Sequence, residues 1–323
     1  MNTFTIVPTG AYSLRESAEF GFGGRTADRF DGVMRMAFCL DGYRQQVGVE
    51  LRQDYGAQGR VHGTVQFVGS VATGDRGGEH RKADIAAVKG QVARVLSLDY
   101  DASGFADVGI RDPVIGQLQE IAPGLLPPLF FSPYEAAVWS VISARRPANQ
   151  MAEVRRKLSE AHGSTFELAG RRLAAVPTPD QLLRVQEFPG LPPEKVTRLH
   201  SIAHKALSGT LDIERLRHIG PEATTDDMKR LKGIGPFYAS LITIRAVGFT
   251  DVPPADEPTL RDLVTQLYHL REPCSRQQFL EIAEAWRPYR TWASVLIRAA
   301  SARLAENAPE PPSRGRGTQS VRR

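Results

Sequence analysis

The sequence predicts an α+β chain: a small antiparallel sheet with packed helices over about residues 1–110, an all-helical unit over 111–305, and a disordered basic tail over 306–323. Three observations lead there. Short segments in which apolar residues partly alternate with others are confined to residues 33–68, the pattern expected of half-buried strands. From Asp112 onward the apolar residues recur at helical spacing, and short Pro/Gly clusters punctuate them. A length of 323 residues with 41% hydrophobic, 24% charged and 8% aromatic residues is enough to bury a core and fits two or three domains.

The strands come first. After a Gly-rich stretch (FGFGGR, 20–25), VMRMAFCL (33–40), VGVELR (47–52) and VHGTVQFV (61–68) are separated by DGYRQQ and DYGAQGR, which supply turn chemistry. DIAAVKGQVARVLSL (84–98) then sets Ile85, Val88, Val92, Val95 and Leu96 on one helical face, so a helix packs on the sheet. Beyond it, PGLLPP (123–128), PTP (177–179), FPGLPP (188–193) and VPPADEP (252–258) break the chain into helices. Ser132-Pro133-Tyr134-Glu135 has the form of a capping box, and the helix it opens through Ile142 is apolar on nearly every side, as befits a central buried helix. The last helix runs through Arg290–Leu304, and ENAPEPPSRGRGTQSVRR after it has no apolar period.

Composition narrows the function. Two cysteines, Cys39 and Cys274, exclude a disulfide scaffold and any four-cysteine zinc or iron–sulfur site. The start MNTFTIVPTG lacks a basic segment followed by an apolar one, and no window approaches eighteen continuous apolar residues, so a soluble intracellular protein is expected. The net charge of +5 is unevenly placed: 13 Lys/Arg against 15 Asp/Glu in residues 1–130, and 28 against 21 thereafter. This surplus permits a polyanionic partner, although a merely solvated basic surface would look the same.

The chemistry concentrates in DDMKRLKGIGPFYASLITIRAVG (226–248). Met228 and Leu231 close a short helix, Gly233-Ile234-Gly235 form a tight hairpin, and Pro236 starts a second helix whose inward face carries Ala239, Ile242 and Ala246. The glycines allow backbone angles and close approach, Ile234 pins the turn, and Ala239 lets the helices pack closely. Amides exposed at such a hairpin bind a phosphate of the DNA backbone without reading sequence, and Lys229, Arg230 and Lys232 stand beside it. Asp256 follows 23 positions after Gly233, in VPPADEPTLRDLV. Alone it reads as a helix N-cap with Glu257 and Pro258 in the first turn. Beside a DNA-gripping hairpin it can face the sugar of an extruded nucleotide.

Taken together, the hairpin, the downstream aspartate, LDYDASGF, DPVIGQL, PGLLPPLFFSPYEAAVWSVISAR, PTPDQLL and WRPYRTWAS resemble, in this order, the helix-hairpin-helix superfamily of DNA glycosylases, specifically the bacterial type II 3-methyladenine DNA glycosylases. The resemblance extends over roughly residues 30–304. It implies a monofunctional enzyme of base excision repair that hydrolyses the N-glycosidic bond of flipped alkylated purines, with Asp256 as the catalytic carboxylate. Its partner is damaged double-stranded DNA, met by a monomer in the bacterial cytoplasm at the nucleoid, with no membrane, no cofactor and, at most, a monovalent cation at the hairpin. Members that also cut the strand carry a lysine two residues after the second hairpin glycine, where this chain has Phe237.

The same resemblance places a duplex wedge in ISARRPAN (142–149), where Arg145 and Arg146 replace the Gly-Gln-apolar run usual there. These arginines equally suit the C-terminal end of their helix. Phe237, Tyr238, Trp139 and Leu241 are base-pocket candidates, Leu241 and Arg298 standing where familiar members carry rings. Trp286, Tyr289 and Trp292 add further rings, with Trp139 and Trp292 in particular expected to be core. Two other functions fit the residues: a non-catalytic DNA-binding protein on the same scaffold, and a glycosylase for oxidised or mismatched bases.

Overall fold

A computed structural model describes residues 2–20, 30–56, 59–68 and 78–306. Its sheet has four antiparallel strands, β1 (Thr3–Ile6), β2 (Met34–Cys39), β3 (Gln46–Gln53) and β4 (Val61–Phe67), in the order β1-β4-β3-β2. The three strands expected from alternation are present, in register Met36↔Val49 and Val49↔Val65. β1 leaves no sign in the sequence pattern, because four residues are too few to show a period. The short helix α1 (Leu14–Phe20) follows it.

The long helix α2 (Gly78–Val95) lays Val88, Val92 and Val95 against the sheet, all fully buried. The helices α3 (Ala106–Arg111) and α4 (Pro113–Ile121) come next, α4 capped by Asp112, whose side chain accepts from the amides of Val114 and Ile115. Asp112 also accepts from the indole of Trp286 at 2.8 Å and the hydroxyl of Tyr268, so one buried carboxylate ties the chain's first helices to its last. The final helices α11 (Pro258–Leu267), α12 (Arg276–Ala283) and α13 (Arg290–Glu306) pack into this same apolar cluster. The last of them reaches two residues past the expected Leu304, and residues 307–323 of the expected tail lie outside the described residues.

A second cluster is built from α5 (Pro133–Ser143), α6 (Ala148–His162), α7 (Pro179–Leu182), α8 (Pro193–Leu207), α9 (Ile213–Lys229) and α10 (Pro236–Ile242). As its composition predicts, α5 is central, with Ala137, Val138 and Ile142 fully enclosed. Between α6 and α7 a two-stranded ribbon, β5 (Thr165–Leu168) and β6 (Arg171–Ala174), folds back beside β3 and β2, which the sequence pattern did not reveal.

The capping box expected at Ser132 is only half formed. Ser132 accepts from the amide of Glu135, but the Glu135 carboxylate turns away, accepting from the Cys39 amide at 3.0 Å and pairing with Arg155 at 3.3 Å. Glu135 is thus a buried strut between β2 and α5, and burial raises its pKa to about 7 despite the arginine. A complete capping box is present at Thr178–Gln181.

Candidate active site and nucleic-acid interface

The hairpin forms where the sequence places it. A break at Gly220 (φ 82°) interrupts α9, and its last segment runs from Pro221 to Lys229. The chain then turns through Gly233 at φ 95° and enters α10 at Gly235, its N-cap, with Pro236 in the first turn. Ile234 and Ala239 are buried, and hydroxyls of Thr225 and Thr243 meet at 2.9 Å where the two helices pack.

The two glycines do different things. Gly233 needs its left-handed backbone angle, and a β-carbon there would meet Cδ of Arg198 at 2.8 Å. Gly235 sits at φ −86°, which any residue adopts, and a β-carbon there would meet nothing within 4 Å. Its value lies in what can approach it from outside. Among the described residues the amides of Gly233 and Gly235 have no acceptor, and those of Phe237 and Tyr238 lie in the first turn of α10, where no preceding helical carbonyl serves them. A row of N–H donors is left for an anion.

Cations surround this row. Lys232 is exposed and has no carboxylate partner among the described residues, whereas Lys229 pairs with Asp226 at 3.0 Å and Arg230 with Asp227 at 2.7 Å. Sequence reasoning expects a helix after FPGLPP but singles out neither Lys195 nor Arg198, which this helix, α8, presents where Arg198 backs onto the hairpin. Lys195 donates to the carbonyls of Ile142 at 2.6 Å and Ala144 at 3.1 Å, so it, and not Arg145 or Arg146, serves the C-terminal end of α5. Burial and the nearby guanidiniums of Arg146 and Arg198 push the Lys195 ammonium below its usual range. Arg145 and Arg146 remain exposed without side-chain partners among the described residues, and Arg145 is held at φ 58°, a conformation costly for a side chain of its size. The hydroxyls of Tyr238 and Ser143, 2.8 Å apart, join the hairpin helix to the end of α5. Hairpin and arginine loop are therefore one braced unit.

Of the expected pocket residues, Phe237 is 59% exposed beside the free amides, with Tyr238 edge-on to it at 5.2 Å. Trp139 packs half-buried against the second cluster, and Leu241 is half-buried on α10. Trp286 and Trp292 are enclosed in the first cluster, and Tyr289 stacks there on Trp292 at 5.1 Å. These three rings belong to the core.

Past Ile242 the hairpin helix continues as one wide, π-type turn (Thr243–Val247) that ends at Gly248, φ 88°. This turn is held from both clusters: Arg94 of α2 donates to the Ala246 carbonyl, Arg217 of α9 to that of Val247, and Arg245 itself to that of Pro128. The Arg245 guanidinium lies over the Phe20 ring at 5.1 Å. Burial and the charge of Arg298 lower Arg245 to about 10, while Glu257 acts in the opposite sense. Asp256 is 85% exposed on its side chain and pairs with Arg276 of α12 at 3.0 Å. The N-cap of α11 is Glu257, one residue later than the N-cap reading of Asp256 requires.

No protein-family model matches the chain. Its fold is that of DNA glycosylases. The 3-methyladenine DNA glycosylase of Archaeoglobus fulgidus superposes with a TM-score of 0.71 at 21% identity, covering 94% of this chain and 99% of that one. An 8-oxoguanine glycosylase/lyase of Clostridium acetobutylicum, solved with double-stranded DNA, gives 0.60 at 16% identity over 93% and 94%. In sequence, the chain is similar to the DNA-3-methyladenine glycosylase of Bacillus subtilis, 22% identical over 210 residues, which is 62% of this chain and 68% of that protein.

Proposed function

We propose that the chain is a DNA glycosylase of the 3-methyladenine type, which binds damaged duplex DNA as a monomer and hydrolyses the N-glycosidic bond of flipped alkylated purines without cutting the strand. The observation that carries this reading is the set of unpaired amides of Gly233, Gly235, Phe237 and Tyr238 with Lys232 beside it, on a glycosylase fold, followed by two carboxylates at the head of α11. The amides and Lys232 hold backbone phosphate. Arg145 and Arg146, on a loop that Lys195 stiffens, enter the duplex as the nucleotide leaves it.

Breaking an N-glycosidic bond leaves positive character on the deoxyribose, so a fixed carboxylate stabilises charge that exists only near the transition state. Asp256, the residue sequence reasoning singles out, stands beside Glu257 at this point. An opposite charge at about 4 Å and an effective dielectric near 20 contributes about 4 kcal/mol, roughly a thousandfold in rate. This suits bases already cationic through alkylation. Strand cleavage needs an amine to attack the sugar, and Phe237 offers none.

The test is to incubate the protein with methylated duplex DNA and separate the products. Free 3-methyladenine and 7-methylguanine with strands that break only after alkali support the reading. Tight binding without base release reduces the protein to a DNA clamp, and strand breaks without alkali exclude the monofunctional form.

A further inference from the structure

We infer that Glu257, and not Asp256, is the carboxylate that faces the sugar of the extruded nucleotide; this rests on the glycosylase reading above and names its reacting group. The two residues are adjacent in sequence and each pairs with an arginine, but they differ in exposure and in what surrounds them. Asp256 is 85% exposed, and its partner Arg276 belongs to α12, a helix packed into the sheet-bearing cluster through Phe279 and Ala283. Among the described residues Asp256 pairs with Arg276 and with no residue of the hairpin. An exposed aspartate paired with an exposed arginine is screened by water and held in no single geometry.

Glu257 is only 24% exposed on its side chain and is held by the guanidinium of Arg298, on α13. It occupies the N-cap of α11 with an extended backbone (φ −85°, ψ 109°), yet its side chain accepts from none of that helix's amides. One carboxylate oxygen, Oε1, is engaged by Arg298, and Oε2 has no partner among the described residues. Its charge is felt by Arg245, on the turn that continues directly from the hairpin helix. Arg245 in turn is covered by the ring of Phe20 from α1. The four groups converge from α1, the hairpin helix, the head of α11 and α13, all elements that the apolar clusters hold in place. A carboxylate held on one oxygen by Arg298 and free on the other, and partly withdrawn from water, has the requirements of an electrostatic catalyst. Arg298 acts as its positioning residue.

The reaction balances without a further reagent. The glycosidic bond electrons leave with the alkylated base, which is thereby neutralised; Glu257 stabilises the positive sugar, and water adds to it, giving up one proton to the Glu257 carboxylate and from there to solvent. The free Oε2 is the atom that orients this water.

The assay is single-turnover release of 7-methylguanine from methylated duplex DNA by the full chain, with duplex affinity and melting temperature measured alongside. Glu257→Gln keeps the shape and the acceptor for Arg298. It is expected to slow release about a hundredfold or more while binding and melting stay close to wild type. Asp256→Asn is expected to stay within about threefold of wild type. An active Glu257→Gln, or loss in Asp256→Asn alone, overturns the assignment and leaves the glycosylase reading standing. A wild type that releases no base overturns both. Should Glu257→Gln melt early, Glu257→Asp separates the causes: release recovering with it supports a reacting carboxylate, and release as fast in Gln as in Asp overturns it.

Discussion

Gly233→Ala and Gly235→Ala separate what the hairpin needs in order to fold from what it needs in order to bind. At Gly233 the backbone lies at φ 95°, and a new β-carbon would press on Arg198 at 2.8 Å. The left-handed angle costs about 1–2 kcal/mol, and the flexible arginine stem yields to the rest. Spread over a chain of this size, that lowers the melting temperature by about 1.5–3 °C. At Gly235 the angle of −86° and the open space around it impose no comparable cost. The N-cap preference lost there, a fraction of a kcal/mol to about 1, is offset by the lower entropy of the unfolded chain. Yet the methyl group stands where a phosphate must approach. Losing one charge-assisted hydrogen bond of about 1.5–3 kcal/mol weakens duplex affinity roughly tenfold to a hundredfold. Fluorescence anisotropy with undamaged duplex gives the affinity, and calorimetry the stability. The reasoning is refuted if Gly235→Ala binds DNA like wild type, or if it destabilises the fold as much as Gly233→Ala.

Other expectations follow from single contacts. Because Glu135 is raised from 4.5 to about 7 in the fold, the folded state holds a proton there that the unfolded chain has lost. Stability is therefore highest on this account below pH 4.5 and falls as pH rises toward 7, by about 3 kcal/mol at most. Glu135→Gln should flatten that slope in melting curves taken from pH 5 to 8, and an unchanged slope counts against it. Lys195→Met leaves the carbonyls of Ile142 and Ala144 without their cation. It should lower stability by about 1–3 kcal/mol and slow base release; a variant unchanged in both would show that the loop needs no brace. Lys232→Gln should reduce the slope of log affinity against log salt by about 1 for any duplex sequence, and an unaltered slope would remove Lys232 from the phosphate contacts.

The legible parts of the sequence were those with a local cause. Alternation in VMRMAFCL and VGVELR, the valine spacing of α2 and the glycines at 233 and 235 each act within a few residues, so they appear as pattern. Contacts made across the fold left no such trace. β5 and β6 are four residues each and owe their pairing to the neighbouring sheet. Glu135 fits a capping box in sequence and was drawn off it by Cys39 and Arg155, 96 and 20 positions away. Lys195 reads as an ordinary helix-start lysine until α5 is placed over it. The adjacent acids at 256 and 257 show the limit most clearly. Spacing from the hairpin favoured the first, and only the positions of Arg276 and Arg298 tell the two apart.

The account as a whole stands on a carboxylate at the head of α11 that acts on DNA held by the hairpin. The double substitution Asp256→Asn with Glu257→Gln tests it without regard to which acid reacts. Duplex affinity should persist, or rise as two negative charges disappear from a surface that meets phosphates, while release of 3-methyladenine and 7-methylguanine in a single turnover falls about a thousandfold. Release at the wild-type rate from that protein would contradict the account.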